Sequence, residues 1–193
     1  HAHMHFSALD VMPEQSWRYY ANLAYGVTTV HDPSVFTDQA FSYAELVEAG
    51  CRHIQLEDLG AWIPNLSGEK DFEWVTDVVN RTLADIPEEV HTSWHFCLGN
   101  AWGNKMHGMT AGGYEQILHR YFETHVEQFV LDFACREMED VAFLRDLPQN
   151  KTVAAGVIDV RSLEIETTEQ VATRIRKVLD VVPAERVWIT TDC

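Results

Sequence analysis

Positive charge is scarce in this chain of 193 residues: 14 Lys and Arg stand against 30 Asp and Glu, a formal net charge of −16. A nucleic acid or an anionic membrane surface would repel such a chain instead of steering it in, so neither is an expected partner. Long apolar runs are missing as well. None approaches the roughly 20 residues that span a bilayer, and the start has no signal-peptide pattern. Cysteine is sparse. Cys51, Cys97, Cys135 and Cys193 lie far apart, without the spacing of a disulfide scaffold, so reduced thiols and a cytoplasmic location are expected. No G-x-G-x-x-G follows the first β-rich run, which argues against a Rossmann sheet.

What remains is ordinary for a globular domain. Hydrophobic residues make up 46% and charged residues 23%, values that exclude disorder and allow a sizeable core. Short β-rich runs occur at 26–31 (GVTTVH), 52–57 (RHIQLE), 90–97 (VHTSWHFC), 128–133 (QFVLDF), 152–159 (TVAAGVID) and 186–191 (RVWITT). Residues 1–6 would make a seventh. Between them, residues 17–25, 40–49, 71–84, 113–125, 138–144 and 168–181 carry helical periodicity. The last opens on Thr167-Thr168-Glu169-Gln170, a capped helix start, and stops before Pro183.

Strand–helix alternation implies parallel strands joined by crossover helices. The polar and metal-capable residues fall at the C-terminal ends of successive strands: Glu57 and Asp58, His95 and Cys97, Asp132, Asp159, then Asp192 and Cys193. In a (β/α)8 barrel those ends converge on one face, where the active site is built. The expected class is therefore α/β, a TIM-type barrel. A complete barrel usually takes about 250 residues, so a partial or truncated one is expected, forming a single domain over 1–193. Open sheet edges in such a barrel would favour association into homo-oligomers.

His95-x-Cys97 at a strand end has a direct geometric meaning. Strand alternation sends i and i+2 to the same side, so an imidazole and a thiolate can share one ion. His1-x-His3 has the same spacing near the start. Trp62, Trp74, Trp94 and Trp102 read as core or pocket walls, and the Gly-rich stretch 99–113 as a loop beside the site.

Residues 41–193 resemble the zinc-dependent, cobalamin-independent methionine synthase family in its catalytic barrel. The resemblance rests on AELVEAGCRHIQLED, HTSWHFCLGN, FVLDFA, GVIDVRSLEIET with EQVATRIRKVL, and the terminal TTDC, in the family's order. It implies a zinc site of His95, Cys97, Asp132 and Cys193, with Asp132 one methylene shorter than the usual Glu and Cys135 as a conceivable substitute. It places Glu57 and Asp58 near the amino group of a thiol amino acid, and Asp159 and Glu57 among the catalytic residues. It implies transfer of a methyl or alkyl group to a small-molecule thiol, homocysteine-like, from a methylated folate or another alkyl donor. Thiolate and imidazole donors favour zinc over magnesium or calcium. One position departs from the family. Where D-x-H-S-P supplies a proton-donating His, this chain has Asp159-Val160-Arg161-Ser162-Leu163, and Arg is a poor acid. A coenzyme M-type thiol therefore stays open as acceptor.

Residues 1–34, HAHMHFSALD followed by LAYGVTTVHDPS, resemble instead the start of an amidohydrolase-superfamily barrel, in which His1 and His3 would ligate a catalytic metal. The join falls near 35–39, as in a chimera of two barrel fragments. The alternatives are thus a metal-dependent amidohydrolase centred on His1 and His3, or a recombined scaffold without a complete site.

Overall fold

The computed structural model describes residues 2–3, 30–32, 47–48, 50–57, 69–98 and 113–192. Among the described residues seven strands form one sheet: β1 (Ala2–His3), β2 (Val30–Asp32), β3 (His53–Glu57), β4 (His91–Phe96), β5 (Gln128–Asp132), β6 (Thr152–Gly156) and β7 (Val187–Thr190). Every neighbouring pair is parallel, and the spatial order follows the chain order from β1 to β7. A doubly wound sheet would reverse its strand order at a switch point. Unbroken sequential order is the topology of a barrel wall, here a partial one.

The strands read as two faces because the side-chain period is two. One face gives Ile54, Leu56, Trp94, Phe96, Phe129 and Leu131 to the hydrophobic core. They meet helix α1 (Glu69–Leu83), which buries Phe72, Val75, Val79 and Leu83 at three- and four-residue spacing. The other face carries His95, Gln128 and Asp132, all buried, with Asp192 just past the end of β7. A core of aromatic and branched side chains on the outside leaves the inside wall free for polar chemistry.

Helix α2 (Thr168–Leu179) begins as the sequence expects. The Thr167 hydroxyl accepts from the Gln170 backbone N–H at 3.2 Å, and the Gln170 side-chain oxygen accepts from the Thr167 N–H at 2.7 Å. This reciprocal pair satisfies two amides that a helix start otherwise leaves unbonded.

Two stretches expected as α-helix are tighter. Residues 113–125 form 3-10 turns at Tyr114–Gln116 and Leu118–Tyr121, and 138–144 lie within a 3-10 run, Glu139–Asp146. The apolar period was real, since Tyr114, Ile117, Leu118 and Tyr121 are all fully buried. The backbone nevertheless bonds three residues back, Ile117 N to Tyr114 O and Arg120 N to Ile117 O. Tyr114 is anchored at both β4 and β5 through its hydroxyl, and that tertiary anchor outweighs the weak local preference.

Candidate metal centre

The ends of β4 and β5 bring three metal-capable side chains together. His95, Cys97 and Asp132 are buried, and one donor atom from each lies within 4.8 Å of the others. His95 Nε2 faces Asp132 Oδ1 at 3.2 Å. Nitrogen and oxygen ligands about 2.0 Å from a tetrahedral ion sit about 3.3 Å apart, so this spacing already suits one shared zinc. The donor chemistry fits as well: imidazole, thiolate and a single carboxylate are a zinc set, whereas calcium and magnesium take oxygen.

Backbone contacts hold this group in place. Tyr114 Oη donates to Phe96 O at 2.9 Å and accepts from Asp132 N at 2.7 Å, tying together the strand ends that carry the site. Burial, and then the Asp132 charge, push the Tyr114 hydroxyl well above its ordinary pKa, so it remains an O–H donor. Leu98 N donates to Asp132 Oδ2 at 3.4 Å.

A buried cation completes the surroundings. Arg161, in the loop after β6, donates from Nη2 to Asp132 Oδ2 at 2.7 Å, and its Nη1 lies 3.7 Å from Asp192 Oδ2. Burial opposes the charge, but the Asp132 and Asp192 carboxylates raise the guanidinium further above its ordinary value. It therefore stays protonated and cannot give up a proton. Asp192 accepts from the backbone of Ala134 at 3.2 Å and of Cys135 at 2.7 Å. Its carboxyl is raised to about 6, first by burial and then by the Asp132 charge.

The remaining expected residues divide clearly. Glu57 is placed by register, its backbone paired directly with His95. Asp159 organises its loop: its Oδ1 accepts from Arg161 N at 2.9 Å, and its own N–H donates to Glu166 Oε2 at 3.2 Å. Cys135 stands outside the metal-capable group. Burial and the neighbouring Asp192 push its thiol well above the ordinary range, so without a metal it is a neutral thiol. Asp58, Cys193 and His1 lie outside the described residues, and His3 is described only as a β1 residue paired with His31. Sequence reasoning did not find Tyr114, whose only signal was its place at the start of a buried period.

A partial barrel with a buried, metal-capable His–Cys–Asp group at its strand ends places the chain in the (β/α) barrel class. The family model described as cobalamin-independent synthase, catalytic domain, matches residues 44–193, and the chain belongs to that family. The family uses zinc. A methionine synthase of Saccharolobus solfataricus is 30% identical over 149 residues, covering 77% of this chain and 39% of that protein. A 2-hydroxypropyl-CoM lyase of Xanthobacter autotrophicus is 39% identical over 82 residues, 40% of this chain and 22% of that protein. Among solved structures, the B12-independent methionine synthase of Shewanella sp. W3-18-1 in complex with selenomethionine superposes with a TM-score of 0.65 at 24% identity. That match covers 86% of this chain and 51% of the other, and shows the shared fold. The chain spans about two fifths of the length of the methionine synthases it matches.

Proposed function

We propose that this chain forms the zinc-holding part of an enzyme that transfers a methyl or other alkyl group to a small-molecule thiol. The observation that carries the reading is the buried His95–Cys97–Asp132 group, whose donor atoms lie within 4.8 Å of one another. Those three residues would hold zinc, with Cys193 as the fourth protein ligand. When bound, zinc lowers the pKa of a coordinated thiol so that a thiolate forms near neutral pH.

The chain's own residues supply the rest. Glu57, beside His95 by register, and Asp58 are assigned to the amino group of a homocysteine-type acceptor. Asp159 shapes the loop that delivers Arg161 and is assigned to the reaction centre. Burial of His95, Cys97 and Asp132 keeps bulk water from competing for the ion.

The likeness to methionine synthases supports a methylated folate as the alkyl donor. The permanently charged Arg161 favours a second reading of the acceptor and donor. A guanidinium cannot protonate a leaving amine, so a donor whose leaving group needs no proton, or a coenzyme M-type thiol as acceptor, suits this loop better. The likeness to a 2-hydroxypropyl-CoM lyase supports that variant. Metal chemistry centred on His1 and His3 has no comparable support.

We also read residues 1–193 as one barrel-type domain, the segment 1–34 being amidohydrolase-like and 41–193 synthase-like. Half-exposed Trp188 and Ile189 on β7 support homo-oligomer formation. Cys51, Cys97 and Cys135 are thiols and not half-cystines, which supports a cytoplasmic location. Among the described residues no helix is long and apolar enough to cross a membrane.

Elemental analysis of tag-free protein tests the reading. One zinc per chain is expected, lost in Cys97→Ser and in His95→Ala. Full zinc retention by the double variant would move the metal elsewhere.

A further inference from the structure

Arg161 is an unusual neighbour for a metal position. Its side chain is only 7% exposed, and it reaches the carboxylates at the ends of two different strands, Asp132 as the last residue of β5 and Asp192 after β7. Its Nη2 is spent on Asp132 Oδ2 at 2.7 Å. Nη1 and Nε are buried and make no hydrogen bond among the described residues, so the guanidinium is held there chiefly by charge. The Cys135 thiol is its other polar neighbour. A buried cation between two buried anions keeps both carboxylates ionised and close when no metal is present.

The same cation is repelled by a divalent ion seated among His95, Cys97 and Asp132. It also occupies one of the two Asp132 oxygens, which blunts the only carboxylate of that group and leaves the imidazole and thiolate untouched. Hard cations depend on carboxylates, while zinc is held mainly by sulfur and nitrogen. The orientation of Asp132 does not hang on Arg161 alone, because Leu98 N–H also donates to Oδ2 and Tyr114 fixes the Asp132 backbone.

We infer that Arg161 is a resident counter-cation that competes with a bound metal for Asp132 and thereby selects zinc over hard divalent ions. This rests on the metal-centre reading given under Proposed function. The guanidinium keeps the empty site folded, weakens the carboxylate as a ligand and leaves selection to Cys97 and His95.

The test compares wild type with Arg161→Gln and Arg161→Lys, using zinc competition against a chelator, manganese titration and thermal unfolding with and without metal. The Gln variant should unfold at lower temperature when metal-free, yet bind zinc about tenfold or more tightly, since a like charge a few ångströms from the ion is gone. It should also gain measurable manganese binding, while Arg161→Lys, which keeps the charge, stays within about threefold of wild type for zinc. A purely structural arginine would lower stability and weaken zinc, or leave its affinity unchanged. Either result, or manganese binding no better than wild type, overturns the inference while the metal centre stands. If Arg161→Gln folds only when zinc is added, chelator competition on the zinc-loaded variant decides, and an affinity no tighter than wild type overturns the inference; if zinc does not restore it, the inference fails. Absence of zinc binding in wild type would overturn both readings.

Discussion

Asp192 occupies the volume that a side chain on Gly156 would fill: a Cβ built at Gly156 overlaps Asp192 Oδ1, and the Asp192 backbone nitrogen is 3.1 Å away. Gly156 ends β6, paired with Asp132 on one side and Thr190 on the other. The missing side chain is therefore what lets the carboxylate from the end of β7 reach Arg161. Gly156→Ala should cost about 1–3 kcal/mol by overpacking a closed site and should weaken zinc. Chemical denaturation and chelator competition read the two effects; unchanged stability would show that Asp192 is not confined there.

Tyr114→Phe should remove the hydroxyl that links Phe96 O to Asp132 N. It leaves a buried amide and a buried carbonyl unpaired, a loss of about 1–3 kcal/mol. Because Asp132 is the residue released, zinc affinity should fall with stability. A stability loss without any change in zinc would confine the role of Tyr114 to packing.

Thr167→Ala should cost about 1 kcal/mol through loss of the α2 cap. Zinc stoichiometry should not change, since the cap is remote from the donor atoms. Urea unfolding of apo and zinc-loaded protein separates the two.

Acid should destabilise the domain through His53. Burial, and then the neighbouring His91 with its ring 4.6 Å away, lower the His53 pKa from 6.5 to about 4. Between those values the unfolded chain binds a proton that the folded chain refuses, so stability falls as pH drops from about 6.5 to 4 and levels off below. In His53→Asn that part of the pH dependence should flatten, as read by denaturation midpoints at several pH values. An identical slope in both proteins would place the acid sensitivity elsewhere.

The expected strand positions follow from the β-rich runs, and the pairing of His95 with Cys97 follows from alternation carried one residue past β4, which ends at Phe96. The α2 cap is local and equally readable. Residues 113–125 were not, because their hydrogen-bond pattern is set by the distant anchoring of Tyr114 and leaves the apolar period unchanged. Arg161 was visible as a departure from the family's histidine and hence as a poor acid. Its grip on Asp132 and Asp192 joins positions 29 and 31 residues away, a pairing that no local pattern encodes. Cys135, a conceivable substitute for Asp132 in the family comparison, packs against the hydrophobic core beside Asp192.

The most direct measurement is X-ray absorption at the zinc edge on zinc-loaded protein. The account predicts a mixed shell, with sulfur from Cys97 and Cys193 at about 2.3 Å and nitrogen and oxygen at about 2.0–2.1 Å, and no zinc held by Cys97→Ser. A shell of nitrogen and oxygen alone, unchanged by that substitution, would contradict it.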